Sequence, residues 1–147
     1  MAADPLQLAL AALQRRERSR AELRDWLARR GVGEEEAGAA LSRLEELGEL
    51  DDARFARRYA EDKRELSGWG PERIREALLS RGVALEDVEA ALDADSQDEQ
   101  LDRAAELLER KGGDLDSDVA RGRALGFLTR RGYDYEIAYE AVRRHAA

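Results

Sequence analysis

The sequence predicts an all-α protein in which one helical unit occurs three times. The first observation behind this is a repeat. Gly31, Gly82 and Gly132 lie 51 and 50 residues apart, each preceded by Arg. Apolar residues recur at eight and four positions before each Gly and at one, six and ten after it. A period of this length belongs to supersecondary units stacked in series, each too small to bury its core alone. The second observation is composition: 39% charged, 43% apolar, two Pro, and an abundance of Ala, Leu, Glu and Arg, which favours helix. The third is that no segment alternates apolar and polar long enough to argue a strand.

The repeats divide the chain into residues 1–49, 50–95 and 96–147, with three helices in each. In the first, Leu6, Ala9, Leu10 and Leu13 share a face of a helix from Pro5 to Glu17. Ser19 to Glu22 forms a capping box opening a second helix, which Gly31 ends. A third runs from Glu34 to Leu47, with Ala37, Leu41, Leu44 and Leu47 inward, and Gly48 breaks it. In the second repeat, Asp51 or Asp52 caps a helix in which Phe55, Tyr59 and Leu66 share a face. Ser67 to Pro71 is a loop, with Pro71 at the first position of a helix reaching Arg81. A short helix from Leu85 to Leu92 follows.

The acidic stretch 93–99 is the expected hinge. The third repeat begins with a helix bearing Leu101, Ala104, Ala105 and Leu108, which Gly112 and Gly113 stop. Helices over Ser117–Arg131 and Tyr135–Arg144 complete it, the last with Tyr135, Ala138, Tyr139 and Val142 as its apolar stripe.

The formal net charge is −8, with 8 basic and 10 acidic residues in 1–50, 8 and 14 in 51–100, and 9 and 9 in 101–147. Tight binding to naked nucleic acid runs on phosphate neutralisation and is disfavoured by this balance, so a protein partner is expected. There is no Cys, which removes disulfides and thiolate metal sites and suits a reducing cytosol. The N-terminus has no basic region followed by an apolar stretch, and no run approaches the length of a membrane span. A soluble, cytoplasmic chain is expected.

Chemistry is sparse. Asp114, Asp116 and Asp118 open like a calcium loop, but the Gly and Glu that such a loop requires are replaced by Val119 and Leu125. The one histidine, His145, has no converging partners in the sequence. Carboxylates sit at helical spacing beside Arg, as in Glu61/Arg64 and Glu72/Arg75, the pattern of a solvated ion-pair face. No catalytic residue, metal or cofactor is expected. The helix–Gly turn–helix unit is also shared with helix-turn-helix proteins, yet its second helices begin with carboxylates at Glu34–Glu36, Glu86–Asp87 and Asp134–Glu136, which would face phosphates. Arg30, Arg81 and Arg131 stand at helix C-termini, where a cation complements the dipole; capping and a binding surface are both open readings.

The second repeat carries Leu50-Asp51-Asp52, Phe55-Ala56 and Tyr59, then Gly68 and Gly70, Arg73-Ile74 and Leu78, and Arg81-Gly82-Val83 before an acidic helix. In these features the chain resembles the RecX family, regulators of the RecA recombinase. Weaker matches, at Arg18-Ser19, Glu22-Leu23 and Leu27 and at Arg131-Gly132 with Ala138, extend the resemblance over about residues 9–144. It implies an elongated, somewhat curved array of three three-helix repeats. The implied activity is non-catalytic: binding RecA filaments on single-stranded DNA across neighbouring subunits, with lowered ATP hydrolysis and strand exchange, in homologous recombination, DNA repair and the SOS response. The pI near 4.9 departs from the more basic members and favours the recombinase itself over independent DNA binding.

The candidate partner-binding residues are Arg54, Arg57, Arg58 and Arg64 on the fourth helix, Trp69 in the loop, and Arg73 and Arg75 on the fifth. They form the densest basic patch of an acidic repeat, and Trp69 is either an aromatic anchor or packing between the two helices. A helical DNA-binding repressor and a general interaction scaffold are the alternative functions. A monomer is expected.

Overall fold

The computed structural model describes residues 4–146 and contains, among these, nine helices and no strand. The helices are α1 (Pro5–Arg15), α2 (Arg20–Arg29), α3 (Glu34–Glu46), α4 (Asp52–Ser67), α5 (Pro71–Ser80), α6 (Leu85–Asp93), α7 (Gln97–Lys111), α8 (Asp118–Arg130) and α9 (Tyr135–Ala146). They form three bundles, in each of which the first helix lies chiefly against the third. Three buried apolar clusters follow the same division, around Leu23, Leu27 and Leu41, around Ile74, Leu78 and Val88, and around Leu108, Leu128 and Val142.

The Gly turns take the backbone conformation expected of them. Gly31, Gly82 and Gly132 have φ of +82°, +82° and +104°. In the first turn, the N–H of Val32 donates to the Leu27 carbonyl and that of Gly31 to the Ala28 carbonyl, and the other two turns repeat the pattern. This is a Schellman ending, which satisfies carbonyls that a helix C-terminus would otherwise leave open. It also brings the apolar residue after each Gly (Val32, Val83, Tyr133) back over the buried Leu27, Leu78 and Leu128.

Several expected core positions lie outside. Leu66 is 82% exposed near the C-terminal end of α4, and Leu47 is exposed where α3 ends. Tyr135 and Tyr139 stack on each other at the surface, with ring centroids 6.1 Å apart; the inner stripe of α9 is Ile137, Ala138, Ala141 and Val142. Of the two candidate caps of α4, Asp51 accepts from the Arg54 N–H at 3.1 Å, whereas Asp52 accepts from the Arg20 N–H of α2 at 2.8 Å and ties repeat to repeat.

Each inter-repeat joint uses an Arg-Gly turn. The second repeat's turn seats on the N-terminus of α2: the Ser19 hydroxyl donates to the Arg81 carbonyl at 2.6 Å, and the Arg81 guanidinium grips Glu22. The third repeat's turn seats on the N-terminus of α5. There the N–H groups of Gly70 and Glu72 donate to the Arg131 and Gly132 carbonyls at 2.8 and 2.9 Å, and Arg131 donates to the Ser67 carbonyl at 2.7 Å. α5 has no side-chain cap because the next repeat supplies acceptors to its first turn. Backbones approach so closely that a Cβ on Gly70 would lie 2.5 Å from the Gly132 carbonyl carbon. α8 begins a turn earlier relative to its Gly than α2 and α5 do, with its own Ser117 cap and an Asp118–Arg121 ion pair.

The expected hinge at 93–99 is instead clasped. Asp95 is buried, and Arg103 meets its two oxygens at 3.0 and 2.8 Å. Arg103 also donates to the Tyr133 hydroxyl at 3.0 Å, which donates to the Gly68 carbonyl at 2.8 Å. A polar, acidic stretch is thus fixed between the second and third cores through one carboxylate.

Candidate partner-binding surface

The loop after α4 turns at Gly68, whose φ is +66°, and places Trp69 against Tyr59, with ring centroids 6.4 Å apart and rings steeply inclined. Tyr59 in turn stacks on Phe55 at 6.1 Å. Cations flank this aromatic row: Arg73 lies 4.3 Å and Lys63 4.7 Å from the Trp69 ring centroid, and Arg81 lies 4.9 Å from that of Phe55. Trp69 is half-buried, so it packs between α4 and α5 while leaving part of its ring at the surface beside two positive charges. Arg57, two residues from Tyr59 along α4 and so on another face of that helix, is exposed and has no ion-pair partner among the described residues.

The other predicted arginines are engaged within the chain. Arg64 turns inward: it donates to the Ala91 carbonyl at 2.8 Å and lies 3.5 Å from Asp95. Burial lowers the pKa of its guanidinium despite that carboxylate. Arg75 pairs with Glu89 and Glu72, Arg58 with Glu17, and Arg54 reaches the Glu49 carbonyl. Arg54 and Arg58 line a cavity of about 260 Å³ between the first two repeats, floored by Leu13, Leu50 and Phe55 and rimmed also by Arg18. The structure thus brings Trp69 and Arg73 together with Lys63, leaves Arg57 exposed on another face of α4, and holds Arg64 and Arg75 in intramolecular pairs. Among the described residues no cluster of His, Cys, Asp and Glu fit to hold a metal ion is present, and no helix is long and apolar enough to cross a membrane.

The fold finds its counterparts among known proteins. The three three-helix domain models of RecX match in order, the first at residues 6–44, the second at 51–92 and the third at 98–142. The regulatory protein RecX of Stenotrophomonas maltophilia strain R551-3 is 40% identical over 141 residues, covering 95% of this chain and 85% of the relative. The chain belongs to the RecX family. The RecX of Thermus thermophilus is likewise 40% identical, over 143 residues, covering 97% of this chain and 93% of its own. The crystal structure of RecX from Lactobacillus salivarius superposes with a TM-score of 0.87 at 20% identity, covering 95% of this chain and 93% of that one, a likeness of fold. The RecX relatives are regulatory proteins by name, and the three matched segments coincide with the three cores described above.

The two arginines before Gly82 and Gly132 are neither simple dipole caps nor open surface, the two readings the sequence allowed. They are the bolts of the repeat joints. A second basic cluster, in the first repeat, was not expected: Arg30 and Arg18 lie 3.7 and 5.6 Å from the Trp26 ring centroid. Its signal was there: residues 15–30 hold seven of the eight basic residues of the first fifty, a concentration lost when charge is summed over the whole repeat.

Proposed function

We propose that this chain regulates a RecA recombinase, binding its filament on single-stranded DNA and lowering ATP hydrolysis and strand exchange while hydrolysing no nucleotide itself. The observation that carries this reading is the match to regulatory RecX proteins over 95% of this chain, with all three helical domains present in order. The geometry supports it in a specific way. Joints made of backbone-to-backbone contacts and charge-assisted hydrogen bonds hold three repeats in a fixed relation, which suits a surface that must register with several subunits of a regular filament. A monomer acting in the cytoplasm, where such filaments form, completes the reading.

Contact with the recombinase runs through Trp69, Arg73, Lys63 and Arg57. An aromatic ring flanked by cations combines an anchor with charge, the composition that dominates protein interfaces. Arg54 and Arg58, at the cavity between the first two repeats, contribute at the rim, whereas Arg64 and Arg75 are held in intramolecular pairs. The direct test is binding of the chain to single-stranded DNA with and without the cognate recombinase and a non-hydrolysable nucleotide. Retention only on the coated strand is expected; equal retention on bare strands overturns the reading.

A further inference from the structure

Residues 15–30 contain seven arginines and three acidic residues. All three acids are committed to other arginines: Glu17 to Arg58, Glu22 to Arg81 and Asp25 to Arg24. Arg20 is paired with Glu45. Arg15, Arg16, Arg18, Arg29 and Arg30 remain without an ion-pair partner among the described residues. Burial chiefly, then the charges of Arg16, Arg29 and Arg30 against an opposing Glu22, lower the pKa of Arg18. Arg18 and Arg30 lie over the ring of Trp26, at 5.6 and 3.7 Å from its centroid, and Trp26 packs on the first core.

Guanidiniums without an ion-pair partner, gathered in an acidic protein, repel one another, and an anion that bridges Arg16, Arg18, Arg29 and Arg30 relieves that repulsion. Two features decide which anion. The Arg30 guanidinium occupies a face of Trp26 on which a base would have to stack, so the cluster is no platform for a single strand. A long polyanion would also meet the rest of a chain of net charge −8, whereas a short segment feels charges only within about 8–10 Å at physiological salt. We propose that the Arg16–Arg18–Arg29–Arg30 cluster is a second docking surface, taking a carboxylate-rich segment of a partner protein. A guanidinium held against an aromatic ring is fixed in orientation with its N–H edges free, which suits bidentate capture of carboxylates.

The test needs no recombinase and so stands apart from the filament reading. The full chain is titrated into a short fluorescein-labelled glutamate-rich peptide, and into an oligothymidylate of equal charge, with anisotropy as the readout. Saturable peptide binding is expected, tighter than that of the oligothymidylate, and weakened at least about tenfold in the Arg16→Glu/Arg29→Glu variant. Both residues are exposed, so helicity and thermal midpoint serve as folding controls. No saturable peptide binding, equal affinity in the double variant, or tighter binding of the oligothymidylate each overturns the proposal. So does a concentration-dependent dimer that the double variant abolishes, since that would assign the cluster to a second copy of this chain.

Discussion

Arg81 and Glu22, 59 residues apart, meet through two parallel hydrogen bonds of 3.0 and 3.1 Å. The same carboxylate accepts from the Ser19 N–H at 3.0 Å, so one side chain closes a capping box and an inter-repeat joint together. Burial works against its charged form, but the bonds from Arg81 and Ser19 outweigh that and hold its pKa below the usual carboxylate value. Because the folded-state pKa is depressed, this stability is present above the unfolded value of about 4.3 and is lost as pH falls through the folded one. Arg81→Met should cost about 1–3 kcal/mol at pH 7 and move the onset of acid unfolding to higher pH. An acid titration of both proteins by circular dichroism checks this; coincident acid transitions would show the joint to be energetically idle.

The three repeat glycines separate a conformational cost from a packing cost. All have positive φ, but a Cβ on Gly31 would meet nothing within 4 Å, whereas on Gly82 it would lie 2.4 Å from the Ala21 Cβ and on Gly132 2.6 Å from the Arg73 backbone nitrogen. Gly31→Ala should therefore cost about 1 kcal/mol, from backbone strain alone. Gly82→Ala and Gly132→Ala should cost clearly more, because a joint between repeats must also open. Denaturant midpoints of the three variants give the ranking, and equal costs would contradict it.

Asp95 stands between Arg64 and Arg103 with its side chain removed from solvent. Asp95→Ala leaves two largely buried guanidiniums unpaired and should destabilise the protein by about 3–5 kcal/mol. Hydrogen exchange should show the amides of α7 and α9 losing protection before those of α2 and α3. Unchanged exchange in the third repeat would return the 93–99 stretch to the role of a hinge.

What was legible in the sequence was whatever depends on neighbours in the chain. A Gly at positive φ and a Leu four residues before it are local requirements of a Schellman ending, so Gly31, Gly82, Gly132 and Leu27, Leu78, Leu128 could be read directly. The joints were not legible, since Arg81 meets Glu22 and Arg131 meets Ser67 across about sixty residues, and nothing local distinguishes a bolt from a cap. For the same reason Asp95 looked like hinge and Arg64 like surface, though each is the other's neighbour inside. Periodicity misled at Leu66, near the end of α4, and at Tyr139, which lies beside the buried stripe of α9 and stacks on Tyr135 at the surface.

Leu128 occupies the same place in the third repeat as Leu27 in the first and is equally buried. Leu128→Ala should cost roughly 2–5 kcal/mol. The loss should be felt first in α7–α9, because a tandem array is stabilised by neighbouring units. Probes placed separately in the first and third repeats report it; coincident transitions would mean that the joints make the array a single cooperative unit.

The central claim, regulation of the recombinase through the Trp69 surface, is tested most directly by DNA-dependent ATP hydrolysis of the cognate recombinase, titrated with this chain. Near-stoichiometric amounts should suppress hydrolysis on single-stranded DNA. The Arg57→Glu/Arg73→Glu variant, with helicity unchanged, should need more than about tenfold higher concentration for the same effect. Full potency in that variant would move the contact elsewhere on the array. Undiminished hydrolysis with the parent chain at stoichiometric amounts would contradict the functional account itself.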